Sequence, residues 1–354
     1  MYPLKFRPVF QKRVWGGSRL RAVLGKGAEA GGAGAGPVGE SWELADLGAG
    51  TVGVDSAGAN ADGSFSSVIA NGKWAGRTLH EFWKSEVSSQ KSEVSRGGAG
   101  AREEYFPLLV KFLDAGQDLS VQVHPDEAYC GAHAGAHLKS EAWYILDAAP
   151  GARIYKGLKA GVTREVFREA LERGEVEPVL KAVPVRAGDC HYLRSGTIHA
   201  LGAGILAAEV QTPSDTTFRV FDWNRLGADG KPRKLHVAEA LECIDFSPPP
   251  TGATAEGGER SHVASVWTTV TRLVTCEYFT LERVRMVQGY EQALPHEEAV
   301  VMIVVEGQGV IHVEGEGPTA FARGETLLLP AGMGGARLKT VTDCAWLEAK
   351  AGAE

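Results

Sequence analysis

Paired cysteines, long apolar runs and an excess of basic charge are all missing from this chain. Its five cysteines (Cys130, Cys190, Cys243, Cys276, Cys344) are odd in number and scattered, and no two form a C-x-x-C pair. That argues against a secreted disulfide framework and against a cysteine zinc site. No segment is apolar for long enough to span a bilayer, and the opening MYPLKFRPVFQKRVWGG lacks the apolar stretch of a signal peptide. A soluble, cytoplasmic protein is expected, with no membrane partner. The net charge of −7 makes nonspecific nucleic-acid binding a poor fit, because that binding relies on clustered Lys and Arg neutralising phosphates. An anionic small molecule remains compatible if its pocket is locally basic, since long-range repulsion is weak and screened.

What is present is an ordinary globular composition, 44% hydrophobic and 23% charged over 354 residues, long enough for two or three domains and a sizeable core. Two low-complexity stretches read as surface loops: KGAEAGGAGAGP at 26–37, and 84–101, where KSEVS occurs at 84–88 and again at 91–95. The proline-rich SPPPTGATAEGGER at 247–260 is the best linker. Between these breaks the chain is mainly strand-like: FPLLVKFLDA, LSVQVHP, EAWYILDA, ILAAEVQT and TTFRVFDW are short, rich in β-branched and aromatic residues, and bounded by Gly, Pro or Asp. EYFTLERVRM, AVVMIVVEGQGVIHVEG and GETLLLPAG repeat the pattern after the linker. Many short strands on each side of a linker predict a mainly β protein of two barrels or jelly rolls. The exception is a small helical insertion near 163–182, where Thr163 can cap VFREALERG and Gly174 can end it.

Chemistry concentrates in three segments. Gln122 and His124 lie two apart in LSVQVHPDE, a spacing that puts both on one face of a strand. Glu141 shares a strand face with Trp143 and Ile145, and a carboxylate among large apolar residues needs a partner or a metal. His199 follows a glycine-bounded turn. Two imidazoles, a carboxylate and an amide oxygen make a ligand set for a divalent ion such as zinc. A fourth segment, EVQTPSDTTFRVFDWNR, crowds polar groups into a strand-forming stretch. It reads either as a hairpin with a surface Arg219–Asp222 ion pair or as a polar loop at a barrel mouth that aims Arg219 into the cavity. Lys111 in LLVKFL and Lys139, on the face of Glu141, could add positive field.

WGG (15–17), GESWELAD (39–46), PLLVKFLDA with LSVQVHPDE (107–127), KSEAWYIL (139–146), GTIHALG through FDWNR (196–225) and PRKLH (232–236) occur in the order seen in type I mannose-6-phosphate isomerases of the short bacterial form, and the chain resembles that family. The resemblance implies two cupin-like jelly-roll barrels: a catalytic domain over 1–246, the linker 247–260, and a C-terminal barrel without metal over 261–354, in which His296, Glu298 and His312 are scattered candidates. It also implies one zinc, or another divalent metal, per chain on Gln122, His124, Glu141 and His199. Arg219 would be catalytic, with Glu209 as first choice for the proton-shuttling base and Lys139 as second. Ser120 and Lys111 would hold the phosphate of a phosphosugar substrate, and a monomer is expected. Two positions depart from the family's usual pattern: Lys139-Ser140-Glu141 stands where Lys-Pro-Glu is usual, and Arg194-Ser195-Gly196 where Pro-Ala-Gly is usual. A different metal-dependent cupin enzyme such as a dioxygenase, and a sugar-phosphate-binding cupin without activity, are the competing readings.

Overall fold

The computed structural model describes residues 1–27, 37–52, 56–90, 104–226, 230–247, 260–294 and 297–352. Two pairs of antiparallel sheets account for most of the strands. In the first block a six-stranded sheet runs, in spatial order, Cys190–Leu193, Glu141–Ala148, Ile205–Gln211, Leu109–Ala115, Val9–Gly17, Val38–Leu44. A five-stranded sheet of Leu180–Pro184, Arg153–Leu158, His199–Leu201, Val121–Val123 and Phe218–Phe221 packs on its inner face. One apolar cluster joins Leu113, Trp143, Ile145 and Ala207 of the first sheet to Ile154 and Leu201 of the second. The second block repeats this, with a sheet containing Val300–Glu306, Cys344–Ala351 and Phe279–Met286 set against a smaller one containing Gln308–His312 and Arg337–Thr340. Met302, Trp346, Ile311, Phe321 and Leu338 form the core between them. The architecture is mainly β in two blocks, as the strand pattern implies, and it fits the two-cupin arrangement that the family resemblance implies.

A third apolar layer explains why some strands read as unbroken hydrophobic runs. Every residue of Leu109–Ala115 and of Ile205–Gln211 is buried. One face looks into the barrel. The other, carrying Val110, Phe112, Ala208 and Val210, packs on Leu281, Val301, Ile303 and Leu347 of the second block. A sheet covered on both faces has no solvent side to be polar, so Lys111 and Glu209 stand out as charges confined to the inner face. Each large side chain fully buried here stabilises the fold by roughly 1.5–3 kcal/mol. The two blocks are also stitched by pairing: Leu4–Lys5 lies antiparallel to the strand Thr326–Leu329, with Leu4 opposite Leu328.

The helix near 163–182 forms as expected over Arg164–Arg173. Thr163 accepts a hydrogen bond from the Val166 amide and Gly174 closes the helix in the left-handed region at φ 70°, while a short 3₁₀ turn at Glu177–Val179 completes the insertion. One expectation is corrected. The supposed loop at 84–101 begins as helix, because Leu79–Gln90 is helical and takes in the first KSEVS copy. Leu79 and Phe82 anchor that helix in the inter-block core, so tertiary burial overrides a polar, low-complexity local sequence. The second copy at 91–95, most of the Gly/Ala loop and nearly all of 247–260 lie outside the described residues.

Candidate metal centre and active site

Strand register assembles the site. On the five-stranded sheet Gln122 sits opposite His199 on one side and opposite Arg219 on the other, so the three form a row across three strands. His124 follows two residues on, just past the end of the strand at Val123, and after Pro125 Asp126 caps the next helix by accepting from the Tyr129 amide. Glu141 comes from the facing sheet, opposite Gln211. The site therefore spans both sheets, and His124, Glu141 and His199 are all but fully buried.

Among the described residues, these three are the one group of three or more His, Cys, Asp or Glu side chains whose ligand atoms converge, all lying within 4.8 Å of one another. Both imidazoles are oriented from behind by backbone carbonyls: His124 Nδ1 is 2.9 Å from Thr216 O, and His199 Nδ1 is 2.8 Å from Thr197 O. Nδ1 must carry the proton to donate there, which leaves both Nε2 atoms as bare lone pairs. Those lone pairs aim at the carboxylate, His124 Nε2 3.4 Å from Glu141 Oε2 and His199 Nε2 3.1 Å from Oε1. Acceptor faces acceptor in a dry site, and His124 Nε2 and Glu141 Oε1 have no hydrogen-bond donor. Orphaned buried acceptors are costly; a divalent cation between them removes that cost, and the donor set fits one. The Gln122 amide reaches the same point, its Nε2 3.4 Å from His199 Nε2; turned over, the amide would present its oxygen instead, a choice that heavy-atom geometry leaves open.

The electrostatics agree. Burial pushes the Glu141 carboxyl up, but the Lys139 ammonium beside it outweighs that and holds Glu141 ionised, well below the usual range. Lys139 Nζ lies 2.9 Å from Glu141 Oε2, and despite burial this pairing keeps the lysine charged. Burial, reinforced by Lys139, drives His124 down to about 3, so it is the neutral imidazole that a metal requires. Glu209 behaves oppositely to Glu141: burial and the neighbouring Glu141 charge push its carboxyl up.

Lys111 and Glu209 face each other on the inner face of the six-stranded sheet, and Ser120 lies two residues before Gln122. Glu209 Oε2 accepts from Trp143 Nε1 at 2.8 Å, and Lys111 Nζ lies 3.8 Å from Glu209, 3.7 Å from Asp215 and 4.7 Å from the Trp42 ring centre. Arg219 donates through Nε to Ser120 Oγ at 3.2 Å and through Nη1 to Lys234 O at 3.0 Å. Burial, then Arg233, lowers Arg219 only to about 10, so it stays cationic at neutral pH. Of the two readings of this segment, the one with a surface Arg219–Asp222 pair is not adopted: Asp222 binds Arg225 at 2.6 Å and Arg233 at 2.7 Å instead. The cause is the turn at Trp223 and Asn224, both at φ 54°. It is held by Trp223 Nε1 donating to Leu119 O at 2.6 Å, and a bulky residue in this region stores strain of about 1–2 kcal/mol.

Four participants escape sequence reasoning. Trp143 orients Glu209 and sets its ring edge-on to His199, centroids 5.3 Å apart; it was visible only as an apolar neighbour of Glu141. Asp215 flanks Lys111, which a loop sequence does not reveal. Ser140 and Ser195, the two departures, meet: Ser195 N donates to Ser140 Oγ at 3.1 Å, the two hydroxyls are 3.4 Å apart, and Ser140 N donates to Thr212 Oγ1 at 3.2 Å. With Gly196 N donating to His124 O at 2.9 Å, the strands bearing three of the expected ligands are cross-tied beside the site. In the second block His296 lies outside the described residues, Glu298 pairs with Lys350 at 3.5 Å, and His312 is exposed.

Comparison with known proteins gives the same answer from a different direction. A family model for the catalytic domain of type I phosphomannose isomerase matches residues 4–150, and one for the cupin domain of mannose-6-phosphate isomerase matches 269–346. "Mannose-6-phosphate isomerase ManA" of Bacillus subtilis is 36% identical over 344 residues, covering 97% of each chain. The mannose-6-phosphate isomerase of Streptococcus mutans is 33% identical over 93% of this chain and 92% of its own. The crystal structure of the Bacillus subtilis mannose 6-phosphate isomerase superposes with a TM-score of 0.81 at 29% identity, over 99% of this chain and 100% of that one. A mannose 6-phosphate isomerase structure bound with zinc and yttrium shares the fold, with a TM-score of 0.65 at 17% identity over 98% of this chain and 99% of that one. With relatives matching along nearly its whole length and a paired-imidazole, carboxylate site in its first barrel, this chain belongs to the type I mannose-6-phosphate isomerase family.

Proposed function

We propose that this protein is an aldose–ketose isomerase that interconverts D-mannose 6-phosphate and D-fructose 6-phosphate through a cis-enediol, with one divalent metal, zinc by preference, on Gln122, His124, Glu141 and His199. The observation that carries this reading is the meeting of two unprotonated imidazole nitrogens with an ionised carboxylate in a buried cavity, beside a cationic Arg219. The unit over 1–246 would carry the chemistry and 261–354 would serve as a structural barrel, the two joined by 247–260. The five free cysteines favour a cytoplasmic setting, and a monomer is sufficient because every proposed site residue comes from one barrel.

A divalent cation, when bound, supplies Lewis-acid polarisation of the sugar carbonyl and a compensating charge for the enediolate. The residues supply the rest. His124 and His199 are fixed in one tautomer by Thr216 and Thr197, so they offer lone pairs without rearrangement. Lys139 keeps Glu141 ionised and places a permanent positive charge beside the reacting oxygens. Glu209, with its carboxyl raised by burial and oriented by Trp143, is suited to take the proton from one carbon and return it to the next. Arg219 stabilises the developing negative oxygen from a partly buried position, where a preorganised cation acts more strongly than in bulk water. Ser120 and Lys111 contribute at the phosphate end, whose binding energy positions the reacting carbons.

The test is a coupled assay on metal-quantified protein, with mannose 6-phosphate and glucose 6-phosphate side by side. Turnover of the first alone, abolished by a chelator and restored by zinc, is the expected result. A folded, metal-loaded sample that turns over neither sugar would overturn the proposal.

A further inference from the structure

Lys111 is flanked by two carboxylates, Glu209 and Asp215, so it cannot by itself neutralise a phosphate dianion. A second cation lies on the inner face of the strand Val9–Gly17. Along that strand Lys12 and Val14 are exposed, Gln11 and Trp15 are buried and Arg13 is half-buried, so Gln11, Arg13 and Trp15 point into the barrel. Trp15 packs with Leu119, the residue before Ser120, and Ser120 accepts the Arg219 hydrogen bond. Gly39 makes the arrangement possible: a Cβ there would come within 2.6 Å of Arg13 Cβ and 2.8 Å of the Trp15 ring, closer than any side chain tolerates. Arg13 Nε donates to Glu40 Oε1 at 2.6 Å, and the other carboxylate oxygen accepts from Trp42 Nε1 at 2.8 Å. The Trp42 ring in turn carries Lys111.

The guanidinium plane of Arg13 is thus fixed by a buried carboxylate that is itself fixed by an indole. Glu40 is held ionised, near pH 2, because Arg13 and Lys111 together outweigh its burial. Arg233, and more weakly Arg225 and Arg13, repel the Arg219 charge, with Asp222 partly offsetting them. Among the described residues the four arginines share two paired carboxylates, Glu40 and Asp222, so the barrel mouth keeps an excess of positive charge that an anion would offset, in a chain whose net charge is −7. A planar fork oriented by a carboxylate through Nε is the form in which arginine recognises phosphate.

We propose that Arg13 is a phosphate-binding residue of the substrate pocket, acting on the Arg219 side of the cavity, and that Glu40 is its positioning residue. The identity of the sugar rests on the isomerase reading; the anion subsite does not.

The experiment is calorimetric titration of zinc-loaded protein with inorganic phosphate, paired with KM and kcat for mannose 6-phosphate. Arg13→Gln is expected to weaken phosphate binding by about tenfold or more, since a charge-assisted contact is lost, and to raise KM by a similar factor while kcat falls far less. Arg13→Lys should recover part of the loss, because the charge returns without the fork. Should Arg13→Gln leave Glu40 unpaired and the chain unfolded, the pair Arg13→Gln with Glu40→Gln keeps the site neutral and should show the same weakening. A phosphate affinity within about twofold of wild type, in a folded variant with full zinc content, would overturn the proposal, as would a wild-type protein that binds no phosphate. A wild type that binds phosphate through Arg13 but isomerises no sugar would retain the subsite and sink the isomerase reading alone.

Discussion

Each barrel contains the same small device: a buried tryptophan whose indole N–H is bonded to a glutamate two residues away on its own strand. In the first it is Trp42 with Glu40, in the second Trp346 with Glu348, each at 2.8 Å. The surroundings reverse its meaning. Glu40 faces Arg13 and Lys111 and is pulled to about 2 despite burial. Glu348 is pushed up by burial and by Glu282. The interiors differ in the same sense: the first barrel turns Lys111, Lys139, Glu141 and Glu209 inward, whereas the second fills its centre with Met302, Phe321, Leu338 and Trp346. One scaffold can thus hold a charged cavity or a packed core, and the choice is made by which inward strand positions carry charge and whether each charge has a partner.

The contrast can be broken most directly at the imidazoles. His199→Ala should lose the bound metal and with it turnover by about 10³-fold or more, whereas His312→Ala in the second barrel should keep one equivalent; elemental analysis and the coupled assay decide both. Next in size, Arg219→Ala should retain its metal but lose about 10²–10³ in kcat, as expected for a preorganised charge; turnover within about tenfold of wild type would remove Arg219 from catalysis. The glutamates sharpen the comparison further. Glu40 has a folded pKa below its unfolded value, so its contribution is present above pH 4.5 and lost as pH falls toward 2, and Glu40→Gln should cost about 3 kcal/mol at neutral pH. Glu348 is raised, so ionising it above its unfolded range costs stability, and Glu348→Gln should be neutral or stabilising at pH 7; chemical denaturation at several pH values separates the two. The smallest effect is at Ser140 and Ser195. A double-mutant cycle to alanine should give a coupling of about 0.5–1 kcal/mol in zinc affinity, measured by chelator competition.

Much of the site was legible because strand geometry is simple. The spacing of Gln122 and His124, and the apolar company of Glu141, already place the side chains on inward faces, and Thr163 and Gly174 mark the ends of a helix. What was not legible depends on distant partners. Nothing in the local sequence says that Arg13 will find Glu40, that Ser140 will face Ser195, or that Asp222 will turn from Arg219 to Arg225 and Arg233. KSEVS at 84–88 looks like a loop because its helix is stabilised by Leu79 and Phe82 on a core supplied by the other block. Pairings across a fold require the fold, and the motifs that resist single-residue reading are those whose energy lies in such pairings.

The strand Leu4–Lys5 has a consequence for synthesis. Its partner Leu328 is synthesised more than three hundred residues after it. At about 5–20 residues per second the segment waits on the order of tens of seconds, so the sheet that holds both strands cannot be completed before Leu328 is made. This strand thereby acts as a timer as well as a structural element: a chain halted before Leu328 leaves Leu4–Lys5 unpaired.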